Sequence, residues 1–189
     1  MSQAAAKNTQ SSKFSVREIC YTGLFAAVIA VMAQISIPMP LGVPMTMQTF
    51  AITLAAVVLG SKLSAMASLV YLILGAVGVP VLASFSGGID KFVGPTGGFL
   101  ISFPLMAYII GLGVEHRNAF KGAFPLAVVV GTVVNYIVGV ILFVIVAHST
   151  VAVAISACVL PFIPTAIIKA VLACAIGLNI WKRIPGLKA

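Results

Sequence analysis

Six long stretches of this chain carry almost no charge, and they constrain the fold more than any other feature. They cover residues 19–37, 45–60, 63–79, 98–114, 124–147 and 164–181. Each is close to the length that an α-helix needs to cross the hydrocarbon core of a bilayer. Because 61% of the residues are hydrophobic and only 7% are charged, the chain cannot cover a water-exposed surface. The stretches predict an all-α membrane protein with six transmembrane helices.

The composition argues against several other classes of protein. The apolar stretches are continuous rather than alternating, which disfavours a β-barrel. The net charge of +8 falls in short clusters and makes no single stripe, so we expect no nucleic-acid partner. Cys20, Cys158 and Cys174 show no metal-ligand spacing, and two histidines with three carboxylates assemble no catalytic group. We expect one membrane domain, residues 1–189, that is not an enzyme and holds no metal or cofactor.

The basic residues predict the orientation of the six helices. With six crossings, both termini lie on the same side of the membrane. They are the polar segment 1–17 and the basic tail 182–189, and they share that side with the turn Ser61-Lys62 and the loop 115–121. That side holds all but two of the eleven lysines and arginines: Lys7, Lys13, Arg17, Lys62, Arg117, Lys121, Lys182, Arg183 and Lys188. The positive-inside rule places it in the cytoplasm. We also expect the first helix to be retained rather than cleaved as a signal peptide.

The opposite side carries the irregular parts of the chain, and we expect the functional site there. They are the proline-rich turn 38–44, the segment 80–98, and the segment 148–160, which we interpret as an interfacial loop or short helix. Non-helical backbone near a membrane persists where protein or a water-filled cavity satisfies its amide groups. The apolar residues of segment 80–98 favour a lid over a pocket, and a plain extracellular loop is the alternative.

Within this lid, four polar residues and two glycines are candidate ligand contacts. The polar residues are Ser84, Ser86, Asp90 and Lys91. Gly97 and Gly98 allow a backbone to pass close to a ligand, and they open the next helix, whose free N–H groups attract anions.

Lys169 is the most informative single residue. It lies 12 residues before Lys182, about 18 Å along a helix and more than halfway to the outer face. A lysine at that depth costs about 2.5–3.5 kcal/mol or more on insertion unless it meets a partner, water or ligand. Two interpretations stay open. The side chain extends to the interface, or its ammonium lines an outward-open pocket and meets Asp90 or a bound anion.

Other polar side chains inside the spans invite a similar pair of interpretations. Thr46 and Gln48 lie at the outer end of the second span, and Asn135 and Tyr136 lie near the middle of the fifth. They either contact a polar ligand or act as polar contacts between helices.

Small residues at spacings of three and four form one face of the first helix, which predicts helix packing or a docking face for another protein. These residues are Gly23, Ala26, Ala27, Ala30 and Ala33.

An ordered set of motifs resembles the BioY family, the biotin-specific S components of energy-coupling factor transporters. The resemblance covers about residues 23–169, and its motifs are specific as a set although each alone is weak. They are Ala33-Gln34-Ile35-Ser36-Ile37-Pro38-Met39-Pro40, Val43-Pro44-Met45-Thr46-Met47-Gln48-Thr49, Leu59-Gly60, Tyr71-Leu72-Ile73-Leu74-Gly75, Gly78-Val79-Pro80-Val81 and Gly94-Pro95-Thr96-Gly97-Gly98-Phe99.

This resemblance implies a multi-pass protein of a bacterial plasma membrane that captures biotin from outside with high affinity. It implies three protein partners, a transmembrane coupling subunit and two cytoplasmic ATPases. The ATPases would use ATP, since this chain has no G-x-x-x-x-G-K-[ST] loop. Ala26 and Ala30 fit the family's AxxxA-like docking patch for the coupling subunit, and residues 38–48 match the family's gating loop.

Two departures from the family pattern bear on the site. The sixth helix of the family opens with a Pro-Gly-Asp-x-x-Lys-like motif whose aspartate and lysine contact the ligand. Here Lys169 matches the lysine, but Ala166 stands in place of the aspartate, and the family's glycine run is altered to Ser84-Phe85-Ser86-Gly87-Gly88. A carboxylate is the strong acceptor for ureido N–H groups. Either Asp90 or a neutral acceptor such as Asn135 replaces it, or the ligand is a biotin relative or is bound less tightly.

We therefore expect a pocket between the fourth, fifth and sixth helices under the lid. Lys169 would contact a polar ligand atom, and the ligand rings would pack on Tyr71, Phe99 and Tyr136. The alternatives are a solitary carrier, an S component for another vitamin or a biotin analogue, and a small membrane enzyme. The Pro-x-Pro and Gly-Pro-Thr-Gly-Gly blocks favour biotin over thiamine or riboflavin, and the lack of a nucleophile–base pair disfavours the enzyme.

Overall fold

Seven α-helices form the architecture in the computed structural model, which describes residues 15–39, 42–117 and 122–183. They are α1 (Val16–Ala33), α2 (Gln48–Ala76), α3 (Asp90–Val93), α4 (Gly97–Glu115), α5 (Ala123–Val146), α6 (Val151–Cys158) and α7 (Ile163–Arg183). Short 3₁₀ turns cover Ala83–Phe85 and Leu160–Phe162. Strand β1 (Ser36–Ile37) pairs antiparallel with β2 (Met45–Thr46). Of the predicted cytoplasmic cations, Lys7, Lys13, Lys121 and Lys188 lie outside the described residues.

Helix α2 is a hairpin of two antiparallel helices rather than one straight rod. The side-chain amide of Gln48 donates a hydrogen bond to the hydroxyl of Tyr71, 23 residues further on. A straight helix would separate these two residues by about 34 Å. The reversal falls at Gly60, whose φ of 78° lies in the left-handed region that glycine adopts without strain. We call residues 48–59 helix α2a and residues 61–76 helix α2b.

This hairpin corrects one sequence-based prediction and brings the helix count to the expected six. The chain turns at Gly60, so Ser61-Lys62 is not the turn but the start of α2b. Among the described residues, five segments are long and apolar enough to cross a membrane: Val16–Ala33, Gln48–Ala76, Gly97–Glu115, Ala123–Val146 and Val151–Ile180. The second contains both arms of the hairpin, and the last contains the short α6 before α7. The prediction of an all-α, multi-pass membrane protein is confirmed.

The six long helices run up and down, so the bundle has two distinct ends. At the end we call the hairpin end, Gly60 lies beside the end of α4, where Glu115 accepts hydrogen bonds from the Ser61 amide (2.6 Å) and hydroxyl (2.7 Å). The other end, which we call the loop end, carries the β1–β2 pair, the lid segment (residues 80–96) and α6. The buried core lies where α4 packs between α2 and α5.

Replacing Glu115 with alanine is expected to lower the free energy of unfolding by about 1–3 kcal/mol. The variant leaves the buried Ser61 without its charged acceptor, and hydrogen bonds to charged groups are worth about that amount. Thermal unfolding in detergent measures the effect. The matched control is Glu18→Ala, which removes an exposed contact to the Ser15 amide at the start of α1. Equal losses in the two variants would contradict the role assigned to Glu115.

Candidate functional site

A cavity of about 300 Å³ lies at the loop end, beneath the lid segment. This volume is at the lower end of the range for small-molecule sites. Its walls come from β2, the start of α2a, the lid, α4, α5 and α7. The lining residues are Gly42, Val43, Pro44, Thr46, Gln48, Thr49, Leu82, Ala83, Ser84, Ser86, Lys91, Thr96, Phe99, Leu100, Phe103, Asn135, Tyr136, Phe162, Thr165, Ala166 and Lys169.

The ammonium of Lys169 lies at this cavity. Its Nζ donates a hydrogen bond of 2.8 Å to the carbonyl oxygen of Thr46, and the side chain is half-buried. An ammonium has three donors, so two remain for a ligand. Of the two interpretations open from the sequence, this geometry matches a cation lining a pocket. A contact between Lys169 and a ligand stays a prediction.

Asn135 lies opposite, on α5, with 2% of its side chain exposed. Its Nδ2 donates to the Phe99 carbonyl (3.1 Å) and to the Ser102 hydroxyl (2.7 Å). Because a carbonyl only accepts, this contact fixes which end of the amide is the NH₂. The Oδ1 atom is therefore turned away from α4, and it accepts no hydrogen bond from the described part of the chain.

The structure brings most of the residues predicted from the sequence to the cavity. Those that line it are Thr46, Gln48, Ser84, Ser86, Lys91, Phe99, Asn135, Tyr136 and Lys169. Gln48 is held by two neighbours, because its Oε1 accepts from Thr46 (2.8 Å) and its Nε2 donates to Tyr71. Their roles in ligand binding stay predictions.

Four predicted residues do not line the cavity. Asp90 is 67% exposed and pairs with its neighbour Lys91 at 3.2 Å, so it does not partner Lys169. Tyr71 is fully buried behind Gln48, where it orients that amide instead of stacking on a ligand. Gly97 packs against the Phe92 carbonyl and Gly98 against Val138 on α5, so both serve close contacts within the bundle, and neither lines the cavity.

Several lining residues were not predicted from the sequence, although some of them had a local signal. Thr165 precedes Lys169 by one helical turn, and Thr49 follows the predicted Gln48 directly. Thr165 is predictable as a polar residue on the same helix face as Lys169, one turn before it. Phe162 and Val43 come from loops, and no periodic pattern marks them.

Gln34, at the end of α1, fastens the lid segment to the bundle. Its Nε2 lies 3.2 Å from the carbonyl oxygens of both Val81 and Leu82, and its Oε1 accepts from the Phe85 amide at 2.7 Å. The Ser36 and Ser84 hydroxyls add a contact of 2.7 Å. Ser84 and Phe85 both have positive φ, so this part of the lid is strained and persists because such contacts hold it.

The small-residue face of α1 is divided between the core and the surface. Ala26 and Ala33 are buried in the core, whereas Gly23 and Ala27 are exposed and Ala30 is half-buried. The predicted docking pair Ala26 and Ala30 is therefore not an exposed pair, because Ala26 contacts the protein's own helices. Docking through this face stays a prediction.

The fold and the cavity define a polytopic α-helical membrane protein with a ligand-sized chamber at one end. Comparison with known proteins places it more closely. The chain belongs to the BioY family, whose sequence profile matches residues 6–186.

Similar proteins cover nearly the whole chain. The biotin transporter BioY of Thermotoga maritima is 42% identical over 168 residues, 88% of this chain and 97% of that protein. The biotin transporter BioY of Rhizobium etli is 34% identical and covers 93% of this chain and 98% of its own length. A crystal structure of the S-component for biotin from an ECF-type ABC transporter matches with a TM-score of 0.80 and 26% identity. It covers 88% of this chain and 92% of that one.

Proposed function

We propose that this protein captures biotin and delivers it to an ECF-type, ATP-driven importer. The observation that carries the proposal is the chamber itself, which has the size and mixed lining that a small amphipathic solute requires. Family membership over residues 6–186 supports biotin as that solute, since the relatives are biotin transporters.

The lining of the chamber is complementary to the chemistry of biotin. The ureido group offers two N–H donors and one carbonyl acceptor, and the valerate chain ends in a carboxylate. Lys169 supplies donors, Asn135 supplies a free acceptor, and Phe99, Phe103 and Tyr136 supply apolar surface for the fused rings. Few polar groups set in an apolar wall are the usual arrangement for orienting a small ligand.

We further propose that the chamber opens to the outside of a bacterial plasma membrane and that both termini are cytoplasmic. Arg17, Lys62 and Arg183 belong to the ends of helices that meet at the hairpin end, and the positive-inside rule supports a cytoplasmic position for that end. A transmembrane coupling subunit and two ATPases would complete the importer and use the ATP. The protein itself would catalyse no reaction.

Uptake of radiolabelled biotin tests this assignment of partners. Cells that express the protein with a coupling subunit and its ATPases are expected to accumulate biotin against a gradient, because only the partners couple transport to ATP. Cells that express the protein alone are expected to bind biotin without that accumulation. Equal accumulation in both would contradict the proposal and favour a solitary carrier.

Replacing Gln34 with leucine is expected to speed the dissociation of biotin by about 10-fold. The variant keeps the volume of the side chain but removes its contacts to Val81, Leu82 and Phe85, each worth about 0.5–1.5 kcal/mol. Release of labelled biotin from purified protein measures the rate. Thr22→Val serves as the control, since it removes a hydrogen bond to the Glu18 carbonyl on the same helix, away from the lid segment. An unchanged dissociation rate would show that these contacts do not hold the lid closed.

A further inference from the structure

A small annex lies below the main cavity, toward the hairpin end. Its volume is about 20 Å³, enough for one water or one small ligand group. It shares five residues with the cavity above, and it adds Thr53 and Thr132 from one turn deeper on α2a and α5. The shared residues are Thr49, Asn135, Tyr136, Ala166 and Lys169. The methyl group of Ala166 leaves this space open, since a larger side chain at that position would extend into it.

Two residues that line the annex, each 2% exposed, carry a polar atom without a hydrogen-bond partner in the described part of the chain. The side chain of Thr53 is 2% exposed, and its hydroxyl makes no hydrogen bond within the described residues. The Oδ1 atom of Asn135 is likewise free, because the amide is fixed by its NH₂ contacts to α4. By contrast, the Thr132 hydroxyl already donates to the Val128 carbonyl at 2.8 Å. Neither atom is fully sealed from its surroundings, so a ligand or a water in the annex can hydrogen-bond to the Thr53 hydroxyl and to Asn135 Oδ1.

Among the described residues, no acidic side chain lines either cavity. The chain has three acidic residues. Glu18 contacts Ser15 at the start of α1, Glu115 contacts Ser61 at the hairpin end, and Asp90 is exposed beside Lys91. The charged residues that line the cavity are Lys91 and Lys169. The acceptors that a ligand meets are therefore neutral, and they lie beside the Lys169 ammonium, whose partner in the described part of the chain is the neutral Thr46 carbonyl.

We propose that Asn135 and Thr53 form a neutral acceptor subsite for the N–H donors of the ligand head, and that this subsite excludes a cationic head. The proposal rests on the proposed capture of biotin. Neutral oxygens accept from a neutral urea without leaving an unpaired charge. A guanidinium in the same place would face the Lys169 ammonium with no carboxylate to balance it, and like charges repel strongly where water is excluded.

Titration calorimetry of the purified protein with biotin and 2-iminobiotin tests the subsite. In 2-iminobiotin a cyclic guanidinium, charged at neutral pH, replaces the urea. We expect wild-type protein to bind biotin at least about 100-fold more tightly than 2-iminobiotin, a ratio that corresponds to about 2.7 kcal/mol. Ala166→Asp should reduce this ratio by about 10-fold or more, because it places a carboxylate at the annex.

Thr53→Val tests the hydroxyl by a change that preserves shape. We expect it to weaken biotin binding by about 3- to 10-fold, the usual value of one neutral hydrogen bond. Thr22→Val is the matched control, since its hydroxyl bonds the Glu18 carbonyl on α1, remote from the cavity. Asn135→Leu should weaken binding further, with thermal unfolding used to verify its fold.

Two results would overturn the subsite. One is equal affinity of wild-type protein for biotin and 2-iminobiotin, and the other is unchanged biotin affinity in Thr53→Val. Neither depends on whether Asn135→Leu or Ala166→Asp folds. A wild-type protein that binds no biotin would reject the proposed function itself, and the two failures are therefore distinguishable.

Discussion

Replacing Lys169 with methionine is expected to weaken biotin binding by about 10- to 100-fold. A hydrogen bond to a charged group is worth about 1.5–3 kcal/mol, and methionine keeps the length of the side chain while removing every donor. The variant should not lower the stability of the protein. An intramembrane lysine costs about 2.5–3.5 kcal/mol on insertion, which offsets the lost contact to Thr46.

Equilibrium binding and thermal unfolding together measure this prediction. A loss of affinity without a loss of stability separates a ligand contact from a merely structural one. Lys62→Met is the matched control, since Lys62 is exposed at the hairpin end and remote from the cavity. Wild-type affinity in Lys169→Met, or the same loss in Lys62→Met, would refute the role of Lys169.

Replacing Gly111 with alanine is expected to lower the free energy of unfolding by about 3 kcal/mol or more. A Cβ at this position would lie far inside van der Waals contact with the backbone of Ser61 and with the carbonyl carbon of Gly60. Backbone atoms cannot move aside as a flexible side chain can, so α4 would separate from the hairpin. Overpacking in a well-packed core typically costs about 1–3 kcal/mol, and this contact is more severe.

Gly23→Ala is the matched control for this helix contact. A Cβ on Gly23 would meet no heavy atom within 4 Å, and alanine favours a helix over glycine by about 1 kcal/mol. We therefore expect Gly23→Ala to unfold at the same or a higher temperature than the wild-type protein. Equal stability of Gly111→Ala and Gly23→Ala would contradict the close approach of α4 to the hairpin.

The spans and the position of Lys169 could be predicted from the sequence because both depend on transfer from water to lipid. Charged residues are rare in this chain, so their places mark the ends of helices, and one lysine inside a span stands out. The turn at Gly60 also had a local signal. Glycine alone tolerates this backbone angle without strain, whereas only their polarity favours Ser61-Lys62 as the turn.

The partner of Lys169 could not be predicted, because the acceptor is a backbone carbonyl. Every residue has such a carbonyl, and only the fold of the β1–β2 pair brings that of Thr46 to α7. Charge alone favours Asp90 as the partner, yet Asp90 is exposed and pairs with its neighbour Lys91 at 3.2 Å.

The roles of Tyr71 and Gly98 depend on distances between helices that the sequence does not specify. Tyr71 is an aromatic residue in a span. Such a residue can form part of a ligand-binding wall, or it can support Gln48 from a buried position, as it does in this structure. A glycine at position 98 is compatible with a backbone contact to a ligand and equally with a close helix contact. The structure shows the second, a close approach to α5.

The central claim is that a small solute in this chamber accepts hydrogen bonds from the free donors of the Lys169 ammonium. A crystal structure of the purified protein with biotin tests this claim most directly. We expect biotin inside the cavity under the lid segment, with one of its oxygen atoms within about 3 Å of Lys169 Nζ. Biotin bound elsewhere, or a cavity that holds biotin while Lys169 contacts only Thr46, would contradict the account.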